Sequence, residues 1–455
     1  MPRSVASPKF PAAKRRDMQR HGYRPRQLYN RNPCSNYSGQ GLLFPRIPDT
    51  QMGTINGFTS QGERMRMKFR ALVYLPVLIS LGFLTACSTK NSSNTGGTGA
   101  LFVTTQGDSL ITPYTIDLST GKFTANGKAV ATDSMPSAVV LSPKGDALFV
   151  ANSVSNSITG YAVNSDGTLT AAGSTQTQGI DPVSMAMDSG GHLFVVNEGS
   201  ATISIFTVSG TGLMGPALFS TVTATSGTDP SAVAITSNGK FLYITDKVGG
   251  TVTEYNVDAS GDLSQPVSYS VGTTPAALII TALKNGSADT SNFLYVANFG
   301  SNNVSAFSVC DNQSTTCLTP DGALTPVAGS PFPAQPGPVA MALDPSSKFL
   351  YVVDEGSNLL SQYRVSTGTG VLTSISPGSI GTGTTPVWVA VRAGTTSVKS
   401  TGGTTNFVYV ANSGSGTISI FSYDSTIGQL GQVVPPVSVA CFQAQCGQPS
   451  TVATK

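Results

Sequence analysis

The chain has 455 residues and a formal charge of +3, unevenly spread. Residues 1–64 hold eleven Lys and Arg against three acids (Asp17, Asp49, Glu63), and residues 65–90 add four more cations, so residues 91–455 carry −9. A mildly acidic remainder with no basic patch interleaved with aromatics argues against a nucleic-acid binder.

Residues 1–64 mix cations with scattered Pro, Gly and Asn, a composition that cannot bury a core and reads as disordered. Next come Met67-Lys68-Phe69-Arg70 and an apolar run from Ala71 to Leu84. That run is short for a bilayer span, and it has the charged start and apolar middle of a secretory signal. It ends in Leu84-Thr85-Ala86-Cys87, followed by a polar stretch through Gly97. The junction resembles the bacterial lipoprotein cleavage box at all four positions. The resemblance implies a signal over 65–86, acylation at Cys87, and a cell-envelope protein tethered to the membrane. A signal belongs at an N-terminus, so translation is expected to begin at Met65 or Met67, with 1–64 a mis-assigned extension. Stable anchoring needs more than one lipid chain. Residues 87–99 read as a flexible linker.

From residue 100 one motif recurs seven times, apolar-apolar-Val-x-(Asn/Asp). Its copies include Leu148-Phe149-Val150-Ala151-Asn152, Leu242-Tyr243-Ile244-Thr245-Asp246 and Val408-Tyr409-Val410-Ala411-Asn412. The third motif residue falls at 103, 150, 195, 244, 296, 352 and 410. Units of about 40 to 50 residues with four short strands each are a propeller signature. In residues 182–213, strands are expected over 182–187, 192–196 and 202–208, before a weaker outer strand. The same order starts at Pro136, Pro230, Pro275, Pro338 and Pro386, where a missing backbone donor is tolerated. The fold class is therefore all-β, a seven-bladed β-propeller over 100–443, with 444–455 a tail. The first unit starts at its second strand, so its inner strand must come from elsewhere. Pro436-Val437-Ser438-Val439-Ala440 resembles an inner strand and would close the ring. The alternative makes it only the outer strand of the last blade. Closure removes exposed edges.

Cys310 and Cys317 flank an insertion in the fifth unit, and Cys441 and Cys446 lie together near the end. Two local disulfides fit an oxidising compartment. Neither pair has the ligand count of a structural zinc site.

At the Leu-Tyr-Val-Ala-Asn strands the chain resembles the YVTN-type seven-bladed propellers of the lactonase-like group that includes 6-phosphogluconolactonase. Pro386-Val387-Trp388-Val389 is similar to a last-blade segment of that group. The resemblance implies His and Arg side chains in a Gly-Pro-Arg-His pattern. The matching stretch here is Gly337-Pro338-Val339-Ala340, which has neither.

Lactone opening needs an activated water and a donor for the carbonyl oxygen. Past residue 64 the only histidine is His192, which shares a slot with Phe241, Phe293, Phe349 and Phe407 and reads as a packing residue. One face of a propeller would gather Asp133, Asp181, Asp229, Glu198, Asp246, Asp354 and Glu355 against Lys247. Such acids suit a hard cation, but Asn152, Asn197, Asp246, Asn298, Asp354 and Asn412 share a slot where an Asx side chain closes its own turn. Turn chemistry is preferred, with no metal and no cofactor. Trp388 takes a slot that is Ala or Ser in other blades, so it either plugs the channel or floors a pocket for a sugar or small ring. The ligand-pocket candidates are Trp388, Asp181, Asp229, Glu198, Asp246, Asp354 and Glu355, and no catalytic residue is assigned. The expected function is a monomeric, lipid-anchored binding scaffold for a protein, glycan or small molecule. A divergent lactone hydrolase is the alternative.

Overall fold

The computed structural model of the chain describes residues 97–217, 222–223, 229–281, 292–311, 321–439 and 449–455. They form seven antiparallel sheets. Counted from the axis outwards, blade 2 is 136–141, 147–152, 157–163 and 169–176, and blade 4 is 230–235, 241–246, 251–257 and 263–270. Blades 3, 5, 6 and 7 begin at Pro182, Pro275, Pro338 and Pro386. In blades 1, 3 and 5 the outermost strand is split into two short pieces.

The second strands are apolar on both faces because both faces are buried. Leu101 and Val103 of the first blade point into one cluster, and Phe102 points into the next. A short continuous apolar run is what a doubly buried strand requires. There are seven core clusters, and each joins two adjacent blades. Burying one such side chain stabilises the fold by about 1.5–3 kcal/mol, so the blades are held together at their seams.

Four seams carry an added lock. Tyr243, Tyr295, Tyr351 and Tyr409 are fully buried. Their hydroxyls donate to the carbonyls of Gly322, Gly370, Gly428 and Gly121, at 2.6, 2.9, 2.9 and 2.9 Å. Each of those glycines lies in a turn of the following blade. Gly428 has φ +78°, and a Cβ there would sit 2.1 Å from the Phe349 ring, so only glycine fits. The Tyr409–Gly121 bond joins blade 7 to blade 1.

Ring closure differs from the expectation. Gly431–Ser438 is the outer strand of blade 7, as the alternative had it. The inner strand of blade 1 is Pro449–Thr454, which pairs antiparallel with Thr98–Thr105 and falls inside the segment read as a tail. Only this strand completes a ring in which every inner strand has two inner-strand neighbours.

The first strands share one device. In blades 2 to 7 the register slips immediately after the proline, as between Pro136↔Asn152 and Ala138↔Ala151. The residue after the proline is the extra, unpaired one, as a bulge requires.

Candidate functional site

Two sets of turns meet on one face of the ring, here called the upper face. One set precedes the inner-strand prolines, and the other follows the Asn/Asp at the end of each second strand. Their backbones are clamped together in every blade from 2 to 7. The N–H of Ser153, Glu198, Lys247, Phe299, Glu355 and Ser413 donates to the carbonyl of Met135, Asp181, Asp229, Thr274, Gly337 and Thr385, at 2.7–2.9 Å. Adjacent blades are clasped as well. The Asn156, Asn302 and Asn358 side chains accept from the N–H of Asp181, Gly337 and Thr385 in the next blade, at 2.7, 2.9 and 2.7 Å. The frame is therefore rigid, while its outward side chains differ from blade to blade.

The Asn/Asp residues beneath this frame are spent on structure. Asn152, Asn197, Asn298 and Asn412 are fully buried and donate to Thr159, Ser204, Ser305 and Ser419 on the third strand. Asp246 accepts three backbone N–H groups, from Asp229, Val248 and Gly249, at 3.0–3.1 Å. Asp354 is fully buried and accepts the Ser361 hydroxyl at 2.7 Å, while its Oδ1 has no hydrogen-bond partner. Asp246 thus closes its turn, whereas Asp354 reaches only the third strand through Ser361.

Burial pushes the Asp354 carboxyl up to about 7, against the Ser361 hydrogen bonds that pull it down. A raised folded-state value means the native protein holds this proton more tightly than the unfolded chain. The stability it contributes is present below the ordinary aspartate range and is lost as pH rises through about 7. Asp354→Asn supplies the residue found in four other blades. The variant is expected to melt higher than the wild type above pH 7, by a few kcal/mol in stability, and to match it near pH 4. An equal melting temperature at pH 8 would refute this account.

Three other candidates meet at the boundary of blades 3 and 4. Lys247 Nζ donates to Glu198 Oε1 at 2.7 Å, both side chains being about a quarter exposed. The Asp229 carboxyl acts electrostatically on Glu198. Burial, first of all, pushes Glu198 above the usual glutamate range. Lys247 pulls it back, and Asp229 adds to the rise. Asp181 stands on the same turn pair as Glu198, through its carbonyl.

The structure does not bring the remaining candidates to this cluster. Glu355 opens a short 3-10 turn in blade 6. Trp388 is partly buried on the inner strand of blade 7, packed against the core between blades 7 and 1. Other blades carry Ala or Ser in this slot. Asp133 accepts the Ser157 and Ser174 hydroxyls within blade 2. His192 lies on the opposite face, its Nδ1 2.7 Å from Asp188 Oδ2 and its ring over Gly261. Cys310 is disulfide-bonded, whereas Cys87, Cys317, Cys441 and Cys446 lie outside the described residues, as does the 1–86 region. Among the described residues no group of three or more His, Cys, Asp or Glu is placed to hold a metal, and no helix is long and apolar enough to cross a membrane.

The cations divide unevenly between the two faces, whereas acids occur on both, and Lys128 lies on the outer edge of blade 1 between the two short outer-strand pieces. Among the described residues the upper-face turns and strand ends carry Asp108, Asp133, Asp181, Glu198, Asp229, Asp246, Asp354 and Glu355. Lys247 is the one cation there. Lys122, Lys144, Lys240, Lys348, Lys399, Lys455, Arg364 and Arg392 all lie on turns or strand ends of the opposite face. Only two ion pairs occur among the described residues, and Glu198–Lys247 is the one on the upper face.

The sequence model of the family described as "Lactonase, 7-bladed beta-propeller" matches residues 122–218, 214–327 and 286–391. The 6-phosphogluconolactonase of Pectobacterium atrosepticum is 28% identical over 180 residues, covering 38% of this chain and 48% of that protein. That of Yersinia pestis is 24% identical over 192 residues, covering 42% and 54%. The chain therefore matches about half the length of these relatives. The periplasmic gluconolactonase of Pseudomonas aeruginosa has the same fold, with a TM-score of 0.63, 22% identity, and coverage of 79% of this chain and 99% of that one. A Bacteroides fragilis protein provisionally named as a 6-phosphogluconolactonase has a TM-score of 0.65, 20% identity, and coverage of 80% and 100%.

These likenesses correct the expectation of a chemistry-free scaffold in favour of its alternative. The inner-strand entries at Gly337–Ala340, Asp229–Ala232 and Thr274–Ala277 lack the Arg-His pair. The upper-face ion pair, Glu198–Lys247, stands at the boundary of blades 3 and 4.

Proposed function

Because the chain belongs to the seven-bladed β-propeller lactonase family, we propose that it is a lactone hydrolase whose reaction is carried by Glu198, Lys247 and Asp229. The observation that supports this most is the Glu198–Lys247 pair at 2.7 Å, which puts a carboxylate and an ammonium side by side on the upper face. Glu198, more basic than an ordinary glutamate, takes a proton from water as the water oxygen bonds to the lactone carbonyl carbon. The Lys247 ammonium faces the negative charge that develops on the carbonyl oxygen. The ring C–O bond then breaks, and the leaving alkoxide takes the proton back from Glu198, giving a hydroxy acid. Turnover of a lactone panel by the full chain, followed by acid release, tests the reading. No turnover of any lactone would refute it.

We also propose that the chain is lipid-anchored at Cys87 in the cell envelope. The Leu84–Cys87 box after the apolar Ala71–Leu84 run supports this. Labelled palmitate is expected to enter the wild type and not Cys87→Ser. Equal labelling of both would overturn the anchor.

A further inference from the structure

We infer that the lactone taken at this site is uncharged and bears an apolar substituent, because among the described residues the upper face offers no free cation and sets exposed apolar side chains on both sides of the Glu198–Lys247 pair. The inference rests on the lactone-hydrolase reading and goes on to name the substrate class. A phosphorylated sugar lactone brings a charge of about −1.5 to −2. Sites for such groups supply Arg or Lys to meet it. Here Lys247 is the one upper-face cation among the described residues, and Glu198 already neutralises it. The undescribed internal stretches contain one further cation, Lys284. Asp246 and Asp354 are buried, but six further acids share the face, and exposed charges repel an anion within a Debye length of about 8 Å.

The second observation is apolar. Eight large hydrophobic side chains are exposed among the described residues, and five stand on this one face. Met135 is 38% exposed, Val154 65%, Ile180 57%, Val248 73% and Phe299 39%. Single exposed apolar residues are ordinary. These five fall in the consecutive blades 2 to 5, on both sides of the ion pair. Ile180 adjoins Asp181, and Val248 adjoins Lys247. Met135 holds in blade 2 the slot of Asp181 and Asp229, and Phe299 holds in blade 5 the slot of Glu198 and Lys247. The frame that presents the charged cluster thus presents the apolar groups too. An apolar rim exposed on a rigid frame marks a binding surface.

The test uses the full chain and measures kcat/KM for δ-lactones with side chains from methyl to pentyl, for glucono-δ-lactone and for its 6-phosphate. The expected result is a rise of about tenfold or more along the alkyl series, with the 6-phosphate at least tenfold below unphosphorylated glucono-δ-lactone. The paired change Ile180→Ser, Val248→Ser is expected to flatten the alkyl series. A flat series in the wild type, or a 6-phosphate turned over as well as the neutral sugar lactone, would overturn the inference and leave lactone hydrolysis standing. Failure on every lactone would bring down both.

Discussion

Glu198→Gln is expected to lower kcat for lactone hydrolysis by about 10²- to 10⁴-fold, the usual contribution of a positioned general base. Glutamine keeps the size of the side chain and accepts a hydrogen bond from Lys247, but it cannot take a proton. The pH profile discriminates further. The base works ionised, so the rate falls as pH drops through its pKa. That acid limb should lie above the ordinary glutamate range, because burial and the Asp229 carboxyl push Glu198 up. Lys247→Met removes a group that pulls it down, so the limb moves to higher pH. Asp229→Asn removes a group that pushes it up, so the limb moves to lower pH. Glu198→Gln abolishes the limb. A Glu198→Gln enzyme with wild-type kcat, or limbs that stay in place in both neighbours' variants, would remove Glu198 from the chemistry. Opposite movements in the two variants would not arise from a merely structural role.

Deleting residues 449–455 is expected to abolish cooperative folding of the propeller. The segment is the inner strand of blade 1 and pairs with Thr98–Thr105. Val452 is buried in the core shared by blades 7 and 1. Thr451 is fully buried, and its hydroxyl bonds Thr104 at 2.6 Å. Lys455 exchanges two backbone bonds with Ala100, at 2.9 and 3.0 Å. Removal strips one face of the 98–105 strand and leaves its N–H and C=O groups unpaired, each buried orphan costing about 1–3 kcal/mol. It also opens the ring, and an apolar open edge promotes aggregation. Loss of the cooperative thermal transition, with elution as aggregate, is the expected readout. A truncated protein that melts within a few degrees of the full chain would show that closure does not depend on this strand.

The blades were legible because each is built from local signals. The strands at 182–187 and 202–208 lie where alternation and the flanking turns put them. The Asn/Asp slot was legible for the same reason, since its hydroxyl partner sits seven residues on in the same hairpin, as Asn412 with Ser419. Closure was harder to see. Pro449-Ser450-Thr451-Val452-Ala453 repeats Pro230-Ser231-Ala232-Val233-Ala234, but Pro436–Ala440 has the same alternation. Alternation reports that a strand is half-buried, not which partner it pairs with.

The seven-fold repeat, the doubly buried second strands, the turn role of Asn152 and its equivalents, and the family resemblance all followed from the chain alone. Each depends on residues within one unit, where spacing dictates which side chains share a face. The meeting of Glu198 with Lys247 and Asp229, the scarcity of cations on the upper face, and the seating of 449–454 beside 98–105 came only with the tertiary structure. They join residues 31, 49 and about 350 positions apart, and a contact between turns of different blades is set by how the sheets twist and close, which no local pattern encodes.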